Sequence, residues 1–263
     1  YFKGNDLLAL SEPEMRAHRW KDMAIIFQGA MNALNPVMKI GDQIREAILL
    51  HNLMERDAAE QRVGELLELV GIPRPLRDLY PHQYSGGMRQ RAMIAMALAC
   101  SPDLLFADEP TTALDVMIQA QVLELLKEIQ KKLGLAIVLV THDLGVVAEM
   151  CDDVVVMYGG KVAEYGSAES VYNQPQHPYT QRLLEAFPDL SRAIDSSTDL
   201  ATIPGTPPRL SALPSGCRFS PRCHKSMEIC TQVTPDLIAQ NVTDDTQHLT
   251  ACHLLNNLGI KNS

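Results

Sequence analysis

Apolar residues recur along this chain at helical spacing in three segments. Residues 42–54 and 57–70 alternate apolar and charged positions so that one face of each helix is apolar. Gly71 is positioned to end the second of these helices. Residues 116–133 repeat the pattern. We therefore predict amphipathic helices over all three segments.

Short, unbroken apolar runs predict buried strands over residues 23–27, 104–107 and 135–140. Because these runs are apolar on both faces, they favour a parallel sheet covered by helices. The last two runs flank a predicted helix, and this order forms a βαβ unit. Two further runs on either side of Gly159-Gly160 predict a hairpin at the edge of the same sheet.

These patterns divide the chain into three parts. Residues 1–35 and 101–165 are predicted to form an α/β core, and residues 36–100 a mostly helical insertion between its two pieces. From about residue 166 onward, prolines interrupt the chain and long apolar runs end. This change in composition predicts a separate, loop-rich C-terminal region over 166–263.

The composition narrows the classes of function. The 263 residues are 46% hydrophobic, which is enough for a packed core, and the formal net charge is −9. An acidic balance argues against a dedicated nucleic-acid binder, because such proteins neutralise phosphates with basic residues. No apolar run is long enough to cross a bilayer, and the first residues lack the apolar segment of a signal peptide. We therefore expect a cytosolic protein with no nucleic-acid partner.

Two adjacent carboxylates follow the predicted strand 104–107. A carboxylate at the carboxyl end of a parallel strand lies where α/β sheets bind their ligands. Asp108 can hold Mg²⁺, which prefers oxygen ligands and bridges phosphates. Glu109 can orient or deprotonate an attacking water molecule. The alternative is a pair of solvated carboxylates at a strand end.

Other polar groups stand at helix starts and strand ends. Ser85 can cap a helix that runs to about residue 100, and Gly86-Gly87 would let its free amide groups approach a phosphate. Gln28 and His142 each follow a predicted strand, where an amide can bind Mg²⁺ or water and an imidazole can contact a terminal phosphate. Taken singly, each of these groups can equally be structural.

The order of these groups resembles the ATPase subunit of ABC transporters. Five motifs match in sequence order: Gln28 as the Q-loop, Ser85–Gln90 as the signature, Leu104–Asp108 as Walker B followed by Glu109, Ala113-Leu114-Asp115 as the D-loop, and His142 as the switch histidine. The resemblance implies a P-loop NTPase (RecA-like) core with a helical insertion subdomain that carries the signature motif.

The same resemblance implies the cofactors and the role of each residue. ATP and Mg²⁺ are the expected cofactors, with Glu109 and His142 catalytic and with Mg²⁺ held by Asp108 and Gln28. The residues expected to contact the nucleotide are Gln28, Ser85, Gly86, Gly87, Gln90, Asp108 and Asp115.

Three further segments narrow the resemblance to the oligopeptide/dipeptide importer branch. They are His177–Thr180, Ile203–Pro208 and Cys217–Cys223, and they resemble the C-terminal extension of that branch. The implied function is an ATPase that powers import of di- or oligopeptides from the cytoplasmic face of the inner membrane, as a peripheral protein. Implied partners are a second ATPase subunit, identical or different, integral membrane permease subunits and, indirectly, a peptide-binding protein.

One motif of the family has no counterpart in this chain. The phosphate loop G-x-x-x-x-G-K-[ST] does not occur, and Lys3–Leu8 resembles the turn and strand that follow that loop. We therefore expect an N-terminally truncated subunit that does not turn over ATP alone, although a full-length relative would. Gly29-Ala30 and Tyr84 are smaller departures from the branch pattern.

Four late cysteines predict a metal centre. Cys217, Cys223, Cys230 and Cys252 are separated by gaps of five, six and 21 residues. These gaps are wider than the pairs typical of zinc sites, whereas iron–sulfur clusters accept varied spacings. The branch resemblance also implies a 4Fe–4S cluster. Zinc, with His253 as a possible further ligand, and free thiols or a disulfide stay open as alternatives.

Other functions are compatible with parts of the pattern. An importer ATPase for another cargo, such as nickel, would carry the same motifs, because the ATPase does not touch the cargo. A soluble ABC protein of translation or repair commonly has two ATPase units or long coiled-coil insertions, and this sequence has neither. A catalytically dead remnant that only binds a partner is the third alternative.

Overall fold

The computed structural model describes residues 1–29, 33–112, 114–186, 202–241 and 248–256. By contacts between residues the chain divides into two compact units, Tyr1–His142 and Asp143–Ser263. Each unit is described by itself below. No helix in the described ranges combines the length and apolar character that a membrane-spanning helix needs.

A three-stranded parallel sheet in the order β1-β2-β3 forms the centre of the described part of the first unit. Its strands are β1 (Met23–Ile26), β2 (Leu104–Asp108) and β3 (Ala136–Val140). The central strand β2 aligns Leu105 with Ala24 on one side and with Ile137 on the other. All three strands lie where the apolar runs predict them, and the parallel order follows from the helical connections between them.

Five helices accompany this sheet in the described part of the first unit, and three of them fall within residues 36–100, the predicted helical insertion. They are α1 (Glu12–His18), α2 (Ile40–Leu50), α3 (Arg56–Leu69), α4 (Gly86–Ala97) and α5 (Val116–Leu133). Short 3-10 turns cover Leu7–Ala9, Arg74–Asp78 and Pro81–Gln83. Helix α3 ends just before Gly71, whose φ of 75° is a left-handed conformation that glycine adopts at little cost.

The core of the first unit lies among its helices and on one face of the sheet. Ile44, Ile48, Leu66, Leu67 and Met93 are fully buried where α2, α3 and α4 contact one another. Helix α4 also contacts β1 and α5, so the helical insertion and the sheet share one packed interior. Burial of such side chains contributes about 1.5–3 kcal/mol each, which makes this contact the main stabilising feature of the unit.

The opposite face of the sheet differs from the prediction that helices cover both faces. Ile25, Phe106 and Val138 stand side by side across the three strands and are 41%, 37% and 43% exposed. The apolar character of the strands correctly predicts a parallel sheet. It did not reveal that the described helices of this unit pack on one side only, because strand composition cannot distinguish a covered face from a bare one.

The second unit contains a four-stranded antiparallel sheet in the order β4-β5-β7-β6 within the described residues. Its strands are β4 (Asp153–Tyr158), β5 (Lys161–Ser167), β6 (Ile238–Asn241) and β7 (His248–Thr250). Its helices are α6 (Leu144–Met150), α7 (Ala168–Asn173), α8 (Pro178–Glu185), α9 (Glu228–Gln232) and α10 (His253–Asn256), with a 3-10 turn at Ser220–Arg222.

The predicted hairpin forms, but its predicted place in the parallel sheet is wrong. Strands β4 and β5 pair antiparallel around the Gly159-Gly160 turn. Strand β5 then pairs with β7, with Glu164 opposite Thr250, so the hairpin belongs to a second sheet. The C-terminal region supplies the other two strands, which are too short to be recognised from apolar alternation. The boundaries predicted at residues 35, 100 and 165 stay predictions.

Candidate active site

Glu109 stands immediately after β2 in an unusual backbone conformation. Its φ is 43°, a region that costs a residue with a side chain free energy and is common at functional sites. The backbone N–H of Glu109 donates to the carbonyl of Val140, at a distance of 2.8 Å. This bond ties the turn to the end of β3 and fixes the carboxylate at the carboxyl edge of the sheet.

Three side chains in the described part of the chain converge on the Glu109 carboxylate. Gln28 Nε2 lies 2.6 Å and Thr112 Oγ1 2.8 Å from Oε2, while His142 Nδ1 lies 3.1 Å from Oε1. Gln28 and His142 follow β1 and β3, the two strands that flank β2. The structure therefore brings together the predicted residues Gln28, Glu109 and His142, at the edge where parallel sheets bind ligands.

These donors determine the protonation state of Glu109. The hydrogen bonds from Thr112 and then from His142 lower the pKa of the carboxyl below its usual value, and the bond from Gln28 acts in the same direction. The carboxyl, which is ionised at neutral pH even at its ordinary pKa, is held more firmly in that form, and in it the group only accepts hydrogen bonds. His142 must then carry a hydrogen on Nδ1, while its side chain stays 81% exposed and can meet a ligand.

Asp108 and Gln28 offer oxygen atoms at the same edge. Asp108 is half-buried at the end of β2, and its side chain has no hydrogen bond or ion pair with any described residue. The amide nitrogen of Gln28 is used by Glu109, which leaves its amide oxygen available. One carboxylate and one amide oxygen fit Mg²⁺, which usually takes few protein ligands and completes its shell with water and substrate phosphates.

The predicted signature residues lie at the start of α4. Ser85 is exposed and caps the helix, with its Oγ accepting from Met88 N at 3.2 Å. A Cβ added at Gly87 would lie 3.0 Å from Ile118 Cγ2, so glycine is what allows α4 to approach the start of α5. In the described ranges, no hydrogen bond joins this turn to the Glu109 cluster.

Two other residues predicted to contact the nucleotide, Asp115 and Gln90, take no part in the hydrogen bonds of the Glu109 cluster. Asp115 caps α5, and its Oδ1 accepts from Ile118 N at 2.9 Å. Gln90 is buried, and its Nε2 has no partner among the described residues. Neither residue makes a hydrogen bond to Glu109, and their predicted contacts with a nucleotide stay predictions. Ala113 of the predicted D-loop lies outside the described residues.

The four predicted metal-binding cysteines line one small cavity in the second unit. Cys217, Cys223, Cys230 and Cys252 all border it, and so does His253. All six cysteines of the chain are described, and none forms a disulfide. Burial raises the pKa of Cys217, Cys223 and Cys252 above the usual value of a thiol.

The cavity does not have the arrangement of a site for a single metal ion. Among described residues, no group of three or more His, Cys, Asp or Glu side chains could hold such an ion. The iron–sulfur and zinc predictions therefore lack direct support and stay predictions.

Thr112 is the residue of this cluster that the sequence reasoning missed. It stands three residues after Glu109, in the run Glu-Pro-Thr-Thr. Its hydroxyl reaches the carboxylate only because the positive φ at Glu109 turns the chain back on itself. A hydroxyl residue one turn after a strand-end glutamate was the available signal.

Comparison with known proteins adds the family context. The family described as "ABC transporter" matches residues 1–112, and the family "Oligopeptide/dipeptide transporter, C-terminal region" matches residues 163–230. The dipeptide transport ATP-binding protein DppD of Bacillus subtilis is 52% identical over 96% of this chain and 74% of its own length. The oligopeptide transport ATP-binding protein OppD of Salmonella typhimurium is 48% identical over 89% of this chain and 70% of its own length.

Solved structures resemble the chain at lower identity. One is a dimeric ATP-binding cassette in a post-hydrolysis state, bound to ADP and Pi, with a TM-score of 0.57, 26% identity and coverage of 64% of this chain and 72% of that one. The other is CbiO1 of Clostridium perfringens, part of an ABC transporter complex, with a TM-score of 0.56, 31% identity and coverage of 62% and 64%.

Proposed function

Because this chain belongs to the family of ABC transporter ATP-binding proteins, we propose that it binds and hydrolyses ATP to power peptide import. The observation that carries the ATPase part is the convergence of Gln28, Thr112 and His142 on the Glu109 carboxylate. The peptide part is supported by the match of residues 163–230 and by the similarity to DppD and OppD.

Each residue of the cluster has a separate role in the proposed reaction. Glu109 orients the attacking water and accepts its proton, which requires the ionised carboxylate that its donors maintain. His142 holds the terminal phosphate from its exposed side. Thr112 keeps Glu109 in position. Mg²⁺, held by Asp108 and the Gln28 oxygen, supplies positive charge against the phosphates when it is bound.

The start of α4 provides a second nucleotide contact. Ser85 is exposed, and the amide groups of Gly86 and Gly87, the first two of this helix, have no acceptor among the described residues and can bind an anion. We propose that Ser85 and Gly87 contact ATP held by a second ATPase subunit, identical or different, and that Gln90 and Asp115 support this contact. The dimeric ATP-binding cassette that resembles this chain supports such an arrangement.

Ser85→Arg tests this contact directly. A bulky cation at the exposed helix start is expected to block dimer closure and ATP turnover, while the unfolding curve of the monomer stays unchanged. Gln61→Arg, at an exposed position on α3, is the matched control. Normal turnover of the Ser85 variant would contradict a role across subunits.

The remaining partners follow from the proposed import function. We propose that integral permease subunits anchor the chain as a peripheral protein on the cytoplasmic face of the inner membrane. A peptide-binding protein then acts on it indirectly. Since the 263 residues contain no G-x-x-x-x-G-K-[ST] sequence, we also propose that they do not turn over ATP by themselves.

A cluster of iron and sulfur is the proposed occupant of the cysteine cavity. The support is that all four cysteines line this cavity and that thiolates are the ligands such clusters use. Zinc bound by the same cysteines is the alternative, and no group of three or more His, Cys, Asp or Glu among the described residues has the arrangement to hold a metal ion, whether zinc or iron. Metal analysis and visible absorption after anaerobic purification test this, and stoichiometric zinc without iron would overturn it.

Transport measurements test the proposed function as a whole. A hybrid with a phosphate-loop segment fused ahead of Tyr1 should hydrolyse ATP, and with permease and peptide-binding partners it should drive dipeptide uptake. The 263 residues alone should do neither. Uptake of nickel in place of peptides would contradict the proposed peptide cargo, and ATP hydrolysis by the 263 residues alone would contradict their proposed inactivity.

A further inference from the structure

An open groove of about 310 Å³ lies in the second unit. Its walls come from the β4–β5 hairpin, from the loop that carries Cys217 and from the chain just before β6. Tyr158 and Phe219 form an aromatic floor, with ring centroids 5.1 Å apart in an edge-to-face arrangement. Since small-molecule sites measure roughly 300–1,000 Å³, this volume fits a small ligand and not a long peptide.

Opposite charges line this groove without neutralising each other. Lys161 and Asp236 both border it and are exposed, and the side chain of neither has an ion pair or hydrogen bond with any described residue. Arg218 also borders the groove, but its guanidinium donates to the carbonyl of Gly159. Among the described residues the groove therefore presents two cations without an ion pair, Lys161 and the hydrogen-bonded Arg218, and one such anion, Asp236, beside the aromatic pair.

We infer that this groove binds a free amino acid or a dipeptide, with the ligand carboxylate at Lys161 and the ligand ammonium at Asp236. A zwitterion of this size offers a carboxylate to the cationic side of the groove and an ammonium to Asp236, whereas a simple anion would leave Asp236 facing it. An apolar side chain of the ligand would lie on Tyr158 and Phe219, where it gains burial. No residue proposed to act on ATP belongs to the groove.

The groove shares a wall with the cysteine cavity. His177, Cys217 and Phe219 border both, so a ligand in the groove would lie beside Cys217, one of the four cysteines of the cavity. If the chain powers peptide import, the ligand is of the class that import delivers. This last step rests on the proposed function, whereas the binding site itself does not.

Calorimetric titration of the 263-residue protein with alanyl-alanine tests the site without ATP or a permease. Saturable binding is expected. N-acetyl-alanyl-alanine lacks the ammonium and alanyl-alanine amide lacks the carboxylate, and each should bind about tenfold more weakly, because each loses one charged hydrogen bond. Absence of saturation, or equal binding of all three compounds, would overturn the inference.

Variants of the two charged residues assign the ends of the ligand. Lys161→Gln and Asp236→Asn should each weaken alanyl-alanine binding about tenfold, and Lys161→Gln should no longer distinguish the amide from the free carboxylate. Arg209→Gln and Asp153→Asn change charges elsewhere in the same unit and should leave binding unchanged. Unchanged binding in both groove variants would refute the assignment, whatever the outcome of the ATPase experiments.

Discussion

Two glutamates, one in each unit, accept the same number of described hydrogen bonds in opposite surroundings. Glu109 stands at a strand end, and its donors are the side chains of Gln28, Thr112 and His142. Glu164 stands inside β5 and is fully buried. Each of the two carboxylates has a histidine among its partners.

The donors of Glu164 are of a different kind. The backbone N–H groups of Gln176 and His177 donate to it, at 2.7 and 3.0 Å, and His248 Nε2 lies 2.6 Å from its Oε1. Backbone donors cannot rotate away, and a buried carboxylate cannot exchange them for water without a large cost. This cluster fastens the His177 turn and strand β7 to the hairpin.

The comparison teaches that the number of bonds does not distinguish Glu109, for which we propose a catalytic role, from Glu164, which is structural. What differs is whether the donors are mobile side chains and whether a ligand can reach them. The donors of Glu109 can turn towards a nucleotide, whereas those of Glu164 are part of the fold. Substitutions at each cluster test this distinction, because those near Glu109 should change turnover and those near Glu164 should change stability.

Glu109→Gln is expected to have the largest effect, and on turnover only. In the hybrid that carries a phosphate loop, ATP hydrolysis should fall by roughly 10²–10⁴-fold, because the amide cannot accept the proton of the attacking water. ATP binding should persist and trap a closed dimer. Steady-state hydrolysis and nucleotide binding measure the two effects, and turnover near the unmodified rate would show that Glu109 is not the base.

Glu164→Ala is expected to affect stability instead. It leaves three buried donors without their acceptor, which should lower the free energy of unfolding by about 3–5 kcal/mol. Glu169→Ala, at an exposed position on α7, should stay within about 0.5 kcal/mol. Urea unfolding measures both. A loss at Glu164 as small as that of the control would mean that the buried cluster does not fasten the unit.

His177 makes the stability of the second unit depend on pH. Burial lowers its pKa from 6.5 to about 4, so the folded protein binds fewer protons than the unfolded chain at mildly acidic pH. Stability is therefore complete above the unfolded value of 6.5 and falls as the pH drops towards 4. The expected loss between about pH 7.5 and about pH 5 is about 2 kcal/mol.

His177→Asn should remove this pH dependence. His177 Nδ1 accepts from Tyr179 N at 3.0 Å and caps α8, and asparagine can keep the cap without titrating. Unfolding of both proteins at the two pH values measures the difference. His224→Asn, at an exposed position, is the control and should keep the full dependence. Equal pH dependence in the His177 variant would contradict a buried neutral imidazole.

Thr112→Val is expected to have the smallest effect. It removes the hydrogen bond that contributes most to the low pKa of Glu109, so that pKa should rise and the acidic limb of the pH–rate profile should move to higher pH. At neutral pH turnover should fall by less than about tenfold. Thr111→Val changes the neighbouring hydroxyl and should leave the profile unmoved. A fall in rate with no shift of the limb would point to a structural role.

Much of this could be predicted from the sequence. The comparisons confirm the resemblance to ABC transporter ATPases and the α/β fold. Both could be predicted because strand-end residues such as Gln28 and His142 follow a fixed order along the chain. The second sheet could not be predicted, since Glu164 pairs with Thr250 far along the sequence and β7 has three residues. Thr112 was missed because its role depends on the backbone angle of a neighbour.

The close approach at Gly87 connects the start of α4 with the start of α5, the helix that follows the Glu109 turn. Helix α5 begins at Val116, soon after Glu109, and its Ile118 lies so close to α4 that a Cβ added at Gly87 would be 3.0 Å from Ile118 Cγ2. A shift of one helix start therefore displaces the other. If α4 contacts the nucleotide of a neighbouring molecule, a movement of the Glu109 turn in one subunit would be passed through α5 and α4 to the ATP bound by the next. An alanine at position 87 would crowd this contact.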